Sequence, residues 1–270
     1  LNGCALLGLN PIWVKPRYRD EFGVSGEITA GDLATVLQAH PEAKAAYVTS
    51  PDYLGTISDI AALSGVCRRF EVPLLVDNAH GSHLHFLSED LHPITLGASL
   101  CCDSWHKTLP VLTGGACLHA SRNPPISKER QKAAMALFGT TSPSYLILLS
   151  LDLCTRYLAE NGRADFARLS EEASRLRRIA LERGLEILSD PRDCAKLTFD
   201  GYSVGMTGWE LADWFREKGI ECEYAAQRHV VLLLSPQNHP GDFTRVAEAL
   251  LQLPSGTERF ADAEPFELPE

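Results

Sequence analysis

Short apolar runs alternate with helical stretches between residues 10 and 119, and this alternation constrains the fold more than any other feature. The runs PIWV, AAYVTS, VPLLVD, SLCCDS and GACLHA occupy residues 11–14, 45–50, 72–77, 99–104 and 115–120. Helical patterns at 30–40, with Thr29 or Asp32 as caps, and at 58–70, capped by Ser58, lie between them. VPLLVD and GACLHA are almost continuously apolar, which indicates strands covered on both faces. The pattern predicts a mainly parallel open α/β sheet with helices on both faces.

The second half of the chain has a different texture. Long helices are predicted at 142–160 and 164–184, the latter with apolar residues three and four apart. After Asp193 come the strand-like runs AKLTFD, IECEYA and HVVLLLS, a helix capped from Thr207, and a last helix in GDFTRVAEALLQL. We therefore expect a large domain at 1–160, a smaller α+β domain at 161–255 and an acidic tail at 256–270.

Composition excludes several classes of protein. A 270-residue chain with 45% hydrophobic residues can form a substantial core, and it contains no apolar run of about eighteen residues that would span a membrane. The net charge of -10 argues against nucleic acid as a partner. The eight cysteines include no C-x-x-C pair and have apolar surroundings, which predicts reduced thiols in a cytoplasmic protein. Cys101 and Cys102 are expected to fill the core.

Two of the predicted strands end in residues with reactive side chains. Asp77 ends VPLLVD, Ser104 ends SLCCDS, and His106 and Lys107 follow within three residues. Ligands of open α/β sheets bind at the carboxyl ends of strands. A lysine and an aspartate there suit pyridoxal 5'-phosphate, because the amine forms a Schiff base with its aldehyde and the carboxylate keeps its pyridine nitrogen protonated. Lys107 alone could equally be a solvated turn residue, and it is the combination that predicts the cofactor.

The stretch VDNAHGSHLHF carries three histidines, His80, His83 and His85. Their H-x-x-H-x-H spacing could bind zinc, but no carboxylate or thiolate partner on a defined scaffold accompanies them. We expect no metal here. His85, beside Phe86, is expected to be a surface or packing residue.

Five segments together resemble one family. VDNAHGSHLHF and DSWHKTLPVLTGGACLH are similar to the patterns Val-Asp-x-Ala-His-Gly-x-His and Ser-x-His-Lys-Thr-Leu of the bacterial ornithine/lysine/arginine decarboxylases, in the same order. Residues 49–60, 140–152 and 195–224 resemble further blocks of that family's major domain. The resemblance implies a fold-type I pyridoxal-phosphate enzyme, at least a homodimer, that decarboxylates arginine, lysine or ornithine to the amine.

The resemblance also implies roles for individual residues. Lys107 would be the Schiff-base lysine, Asp77 the partner of the pyridine nitrogen, and His80 a neighbour of cofactor and substrate. The remaining cofactor contacts would be Ala79 against the ring, Ser104 and His106 on the phosphate, and Thr140, Thr141 and Ser142 on the phosphate across a subunit interface. His83 would form a structural hydrogen bond, and Glu223 is a candidate for substrate specificity. Tyr145 and Asp152 are expected to be structural residues of a long helix.

The chain departs from the family at both ends. Its opening segment, LNGCALLGLNPIWV, resembles the residues that in the family come after a phosphate-binding helix start and a histidine that stacks on the ring. The sequence therefore lacks both of these family elements, and it stops soon after the small domain. We therefore expect a chain truncated at both ends. Two alternatives stay open: an aminotransferase or lyase of the same fold, and an inactive fragment or pseudoenzyme without the phosphate cradle.

Overall fold

The N-terminal segment is irregular where a strand was predicted. The computed structural model describes residues 2–16, 18–19 and 21–254. Helix α1 (Asn2–Leu7) is followed by residues without regular structure and by the short antiparallel pair β1 (Tyr18–Arg19) and β2 (Val24–Ser25). The predicted strand at 11–14 is therefore wrong. Pro11 has no N–H for a strand ladder, and Trp13 is 64% exposed, so this apolar run forms no strand, although Val14 packs against the core of the first sheet.

The first sheet confirms the predicted mainly parallel α/β architecture. Its strands are β3 (Ala46–Thr49), β4 (Leu74–Asp77), β5 (Leu100–Asp103) and β6 (Cys117–Ala120), in the order β3-β4-β5-β6. The first three are parallel, and β6 pairs antiparallel to β5. Strand β6 lies at the edge and is half-buried, so the prediction that it is covered on both faces is wrong. The apolar run GACLHA therefore corresponds to an edge strand that is only partly buried.

Two helices cover one face of this sheet. Helices α2 (Ala30–Ala39) and α3 (Ile60–Arg69) pack Leu33, Leu37 and Leu63 against Val76 and Cys101. A capping box between Thr29 and Asp32 starts α2, so both predicted cap residues take part. Asp59, not the predicted Ser58, caps α3 through its carboxylate and the N–H of Ala62.

The opposite face of the sheet is open in the described part of the chain. Side chains alternate between the two faces of a strand, so Tyr47, Asp77 and Cys102 project on the side away from α2 and α3. Tyr47 is 67% exposed and Cys102 is exposed. Cys101 is a core residue as predicted, whereas the same prediction for Cys102 is wrong because the residue lies on the uncovered face.

Helices dominate the middle of the chain. The single turn α4 (Trp105–Thr108) follows β5 at once, and α5 (Lys128–Phe138), α6 (Tyr145–Tyr157) and α7 (Arg163–Glu182) come next. A π-helical turn (Leu158–Gly162) joins α6 to α7 at the predicted domain boundary. The larger apolar cluster contains Leu84 and Leu109 together with Phe166, so it draws on both sides of that boundary. The division at residue 160 stays a prediction.

The C-terminal part has the predicted mixture of strands and helices. Strands β7 (Glu186–Ile187), β8 (Lys196–Asp200), β9 (Tyr224–Ala225) and β10 (His229–Leu233) form an antiparallel sheet in the order β7-β8-β10-β9. Helices α8 (Gly208–Glu217), capped by Thr207 as predicted, and α9 (Pro240–Leu251) complete it. The predicted acidic tail at 256–270 lies outside the described residues. None of the described helices has the length and apolar character needed to cross a membrane.

Candidate active site

Asp77 occupies the end of β4 with both carboxylate oxygens hydrogen-bonded. The backbone N–H of Ala79 donates to Oδ1 at 3.1 Å, and the hydroxyl of Tyr47 donates to Oδ2 at 3.0 Å. Ala79 thus contacts Asp77 as a neighbour in a tight turn. Tyr47 was not singled out from the sequence, because nothing in the run AAYVTS shows that its ring reaches diagonally to the next strand.

Lys107 lies on α4 and faces His80. Ser104 begins this turn, and its carbonyl accepts the N–H of Lys107 at 3.0 Å. The Nζ atom of Lys107 lies 3.3 Å from Nε2 of His80. Burial, followed by the positive charges of Lys196 and Lys107, lowers the pKa of His80 to about 4. The imidazole is therefore neutral near pH 7, and its Nε2 accepts a hydrogen bond from the lysine.

A buried polar cluster links the two strand ends beneath these residues. The side-chain amide of Asn78 donates to Oδ1 of Asp103 at 2.8 Å, while Nε2 of His92 and Nε2 of His119 lie 3.0 and 3.3 Å from Oδ2. Burial alone would raise the pKa of Asp103, but the hydrogen bonds from His119 and His92 hold it well below its usual range. Asn78 follows Asp77 and Asp103 precedes Ser104, so this cluster, called here the Asp103 cluster, fixes the spacing of the two strand ends.

The Asp103 cluster is better described as hydrogen-bonded than as a metal centre. Its two histidines and one carboxylate bring ligand atoms within 4.8 Å of one another, as in a metal site. Nδ1 of His92, however, accepts the N–H of Ile94 at 3.4 Å. This leaves the ring proton on Nε2, which points at Asp103 as a donor.

The predicted phosphate contacts divide into two groups. Nδ1 of His106 donates to the carbonyl of Gly115 at 2.9 Å, and the side chain of Ser104 makes no capping hydrogen bond within α4. Both residues belong to the same short turn as Lys107. Thr140, Thr141 and Ser142 are exposed between α5 and α6, and the N–H of Ser142 donates to Oγ1 of Thr140. Within the described chain these three residues do not contact the other site residues. Their predicted role is in the phosphate site of a partner subunit, so it stays a prediction.

The C-terminal part of the chain supplies another wall of the site. The ring of Tyr53 meets that of His80 edge to face at 5.3 Å, and its hydroxyl donates to Oε1 of Glu223 at 3.4 Å. Lys196 donates from Nζ to the carbonyls of Asp52 and Tyr53 at 3.0 and 2.9 Å. Burial lowers the pKa of this lysine to about 8. Lys196 was not predicted, because a lysine in AKLTFD gives no sign that it is buried.

A glycine allows this wall to approach the first sheet. Gly55 has φ +88, and a Cβ atom there would lie 2.9 Å from Cβ of Ser189 and 3.2 Å from Cβ of Lys196. Only glycine satisfies both the left-handed backbone and the close contact. The loop that carries Tyr53 is therefore held against β8.

The three histidines of the opening stretch have three different partners. His80 faces Lys107, as described above. His83 is fully buried, with Nε2 2.8 Å from Oδ1 of the equally buried Asp193, and its ring stacks on Phe166. His85 is half-exposed and pairs with Asp90 at 2.8 Å. The predictions of a structural hydrogen bond for His83 and a surface position for His85 are confirmed.

Tyr145 and Asp152 lie on α6, which confirms the predicted helix. Both are exposed, and Tyr145 is 86% accessible. The expectation that they are structural finds no packing contact to support it within the described chain.

Comparison with known proteins identifies related sequences. The family described as "Orn/Lys/Arg decarboxylase, major domain" matches residues 2–191. An arginine decarboxylase of Bacillus subtilis is 33% identical over 262 residues, covering 91% of this chain and 52% of the relative. An arginine decarboxylase of Halalkalibacterium halodurans is 31% identical over 258 residues, covering 91% and 52%. The chain spans about half the length of these relatives.

Solved structures share the fold. Lysine decarboxylase A of Pseudomonas aeruginosa superposes with a TM-score of 0.75 at 18% identity, covering 91% of this chain and 42% of that one. The constitutive lysine decarboxylase of E. coli gives 0.69 at 20% identity, with coverages of 90% and 42%. An alanine–glyoxylate aminotransferase of Nostoc gives 0.67 at 18% identity, with coverages of 84% and 66%. The likeness shows the fold class and confirms its prediction.

Proposed function

This chain belongs to the Orn/Lys/Arg decarboxylase family through its major domain, and from that membership we propose that it serves the pyridoxal-phosphate-dependent decarboxylation of a basic amino acid. The substrate would be arginine, lysine or ornithine, and the product the corresponding amine. The observation that carries the proposal is a lysine amine 3.3 Å from a neutral histidine, beside a carboxylate at the end of the neighbouring parallel strand.

The residues present fit pyridoxal phosphate in their chemistry. Asp77 would hold the pyridine nitrogen, Ala79 would pack against the ring, and Lys107 would supply the amine for the aldehyde. The hydroxyl of Ser104, which makes no capping bond in its own turn, and the ring of His106 would hold the phosphate. When bound, the cofactor supplies an electron sink for the charge left by the departing carboxyl group.

The protein's own groups would position the reacting amine and the pyridine ring. Lys107 acts as a nucleophile only when its amine is unprotonated, and His80 has an unprotonated Nε2 within reach of that amine. We assign His80 to accept a hydrogen bond from this amine at Nε2 and so to orient it, because an imidazole whose pKa is lowered to about 4 stays unprotonated near pH 7. Asp77, held by two donors, would present its carboxylate to the pyridine nitrogen.

The wall formed by Tyr53 and Glu223 suits a cationic substrate side chain. The carboxylate of Glu223 is exposed, and the hydroxyl of Tyr53, whose ring lies on His80, reaches it. An ammonium or guanidinium group there would gain a charge-assisted hydrogen bond. We therefore keep Glu223 as the candidate for substrate specificity and place the basic end of the substrate beside it.

A spectroscopic titration tests the cofactor assignment. Pyridoxal phosphate added to the purified chain should produce an absorbance band of protein-bound cofactor, and Lys107→Ala should abolish it because the amine is lost. Lys132→Ala, on the exposed helix α5, is the matched control and should keep the band. Identical spectra for the wild type and Lys107→Ala would refute the assignment.

Product analysis then separates the remaining reactions. Release of carbon dioxide from arginine, lysine or ornithine supports the proposal and identifies the substrate. Transfer of the amino group to a keto acid would instead indicate an aminotransferase. A chain that binds the cofactor and releases neither product would be a pseudoenzyme.

A further inference from the structure

Tyr47 makes a contact that its exposed position on β3 does not require. It pairs with Leu75 in the parallel register of β3 and β4, two residues before Thr49 pairs with Asp77. Its ring therefore extends diagonally along the open face, and its hydroxyl donates to Oδ2 of Asp77 at 3.0 Å. A tyrosine that is 67% exposed could direct its hydroxyl to water, yet it directs it to this carboxylate.

The two donors to Asp77 act on different oxygens. The N–H of Ala79 bonds to Oδ1, and Tyr47 bonds to Oδ2. A carboxylate oxygen has two lone pairs, so each oxygen keeps one for a further donor. Bonds to both oxygens also prevent the carboxylate from rotating about its last torsion, which is otherwise a soft one.

Tyr47 remains a donor over the whole neutral range of pH. Burial of its hydroxyl, followed by the charge of Asp77 and the hydrogen bond to it, raises the pKa of Tyr47 to about 12. The hydroxyl thus keeps its proton under any condition in which an enzyme of this kind would be assayed.

We propose that Tyr47 is a positioning residue, whose hydroxyl holds Asp77 in the orientation that meets the pyridine nitrogen of pyridoxal phosphate. The inference rests on the proposed function, since it assigns a residue of this chain to the same cofactor. It adds a residue that acts through Asp77 and does not touch the reacting atoms. The other reading of the contact, a surface bond that contributes only to stability, predicts different results.

The test compares Tyr47→Phe with Tyr157→Phe. Each substitution removes one hydroxyl that donates to a carboxylate, to Asp77 in the first and to Asp165, at 2.6 Å between α6 and α7, in the second. Burial likewise raises the pKa of Tyr157 to about 12, so the two bonds are of the same kind. Only the first contacts the candidate site.

Three measurements are made on both variants and on the wild type. They are the dissociation constant of pyridoxal phosphate from an absorbance titration, the pH dependence of the bound cofactor's absorbance, and the thermal unfolding of the protein without cofactor. Tyr47→Phe should weaken binding about tenfold, in line with one lost hydrogen bond to a charged group, and should displace the midpoint of the pH dependence. Tyr157→Phe should change neither quantity.

The outcomes separate this inference from the function on which it rests. If the wild type shows the Lys107-dependent band and Tyr47→Phe binds the cofactor with the same affinity and pH dependence, Tyr47 is only a surface residue. If Tyr47→Phe changes unfolding without cofactor but not cofactor binding, the contact is structural and the inference is again overturned. A wild type without the band overturns the proposed function itself.

Discussion

The fold determines the pKa values of individual residues in the candidate site, because it buries them next to charged groups. His80 is neutral because it is buried beside two lysines, and burial beside the carboxylate of Asp77 raises the pKa of Tyr47 to about 12. The residue types were visible in the sequence at Asp77, His80 and Lys107. The importance of Tyr47 and Lys196 was not visible. Each lies in a predicted strand, and the pattern of apolar residues in that strand does not show that the side chain contacts the site.

The shifted pKa of His80 predicts how stability depends on pH. It is about 4 in the folded protein against 6.5 for an ordinary histidine, so the unfolded chain binds more protons as the pH falls through this window. The free energy of unfolding should therefore decrease from pH 6.5 to pH 4. In His80→Gln this part of the decrease should be missing, as measured by denaturant unfolding at several pH values. Parallel curves for the two proteins would contradict the prediction.

The buried pair of His83 and Asp193 predicts a large effect on stability. Both side chains are fully buried, and His83→Ala would leave the carboxylate of Asp193 without its ring partner. We expect the free energy of unfolding to fall by about 3 kcal/mol or more. His85→Ala, which removes a half-exposed partner of Asp90, is the control and should cost under ~1 kcal/mol. Equal effects in urea unfolding would show that His83 does not join the two parts of the chain.

At the scale of the elements, local signals determined the ends of helices more reliably than the direction of strands. The caps at Thr29 and Thr207 were predicted because their side chains bond within their own first turn. The antiparallel direction of β6 was not, since an apolar run reads the same whichever way its strand pairs. The segment at 11–14 shows that an apolar run can form no strand at all.

The capping box of α2 predicts a moderate loss of stability. Thr29 accepts the N–H of Asp32 at the start of a helix that buries Leu33 and Leu37. Thr29→Ala should lower the free energy of unfolding by about 1 kcal/mol. Ser127 caps α5, which buries no residue, so Ser127→Ala should leave global unfolding nearly unchanged. If both variants lost the same free energy of unfolding, the loss would not depend on whether the capped helix is packed in the core, and the prediction would be wrong.

The whole molecule carries apolar surface that suits the predicted homodimer. Leu146, Leu149 and Leu153 form one stripe on α6 and are 67%, 52% and 53% exposed. This stripe lies close in sequence to the exposed residues Thr140, Thr141 and Ser142. If those three residues contact the phosphate in the partner subunit, the second copy would cover the stripe.

Light scattering tests this prediction. The wild type should have the mass of a dimer, and Leu149→Glu should shift it toward a monomer because a charge would enter the interface. Leu181→Glu, at a similarly exposed position on α7, should not. If the wild type were monomeric, or if both variants showed the same decrease in mass, the prediction that α6 forms the dimer interface would be wrong.

Sequence alone determined the α/β class and the caps at Thr29 and Thr207, and it singled out Asp77, His80 and Lys107 as candidates, because these depend on local periodicity and on side-chain chemistry at strand ends. Only the tertiary structure decided which face of the sheet is open, that Tyr53 lies between His80 and Lys196, and that Tyr47 donates a hydrogen bond to Asp77. These facts depend on which strands become neighbours and how far one side chain reaches across another. Such distances arise only when segments far apart in the chain pack together.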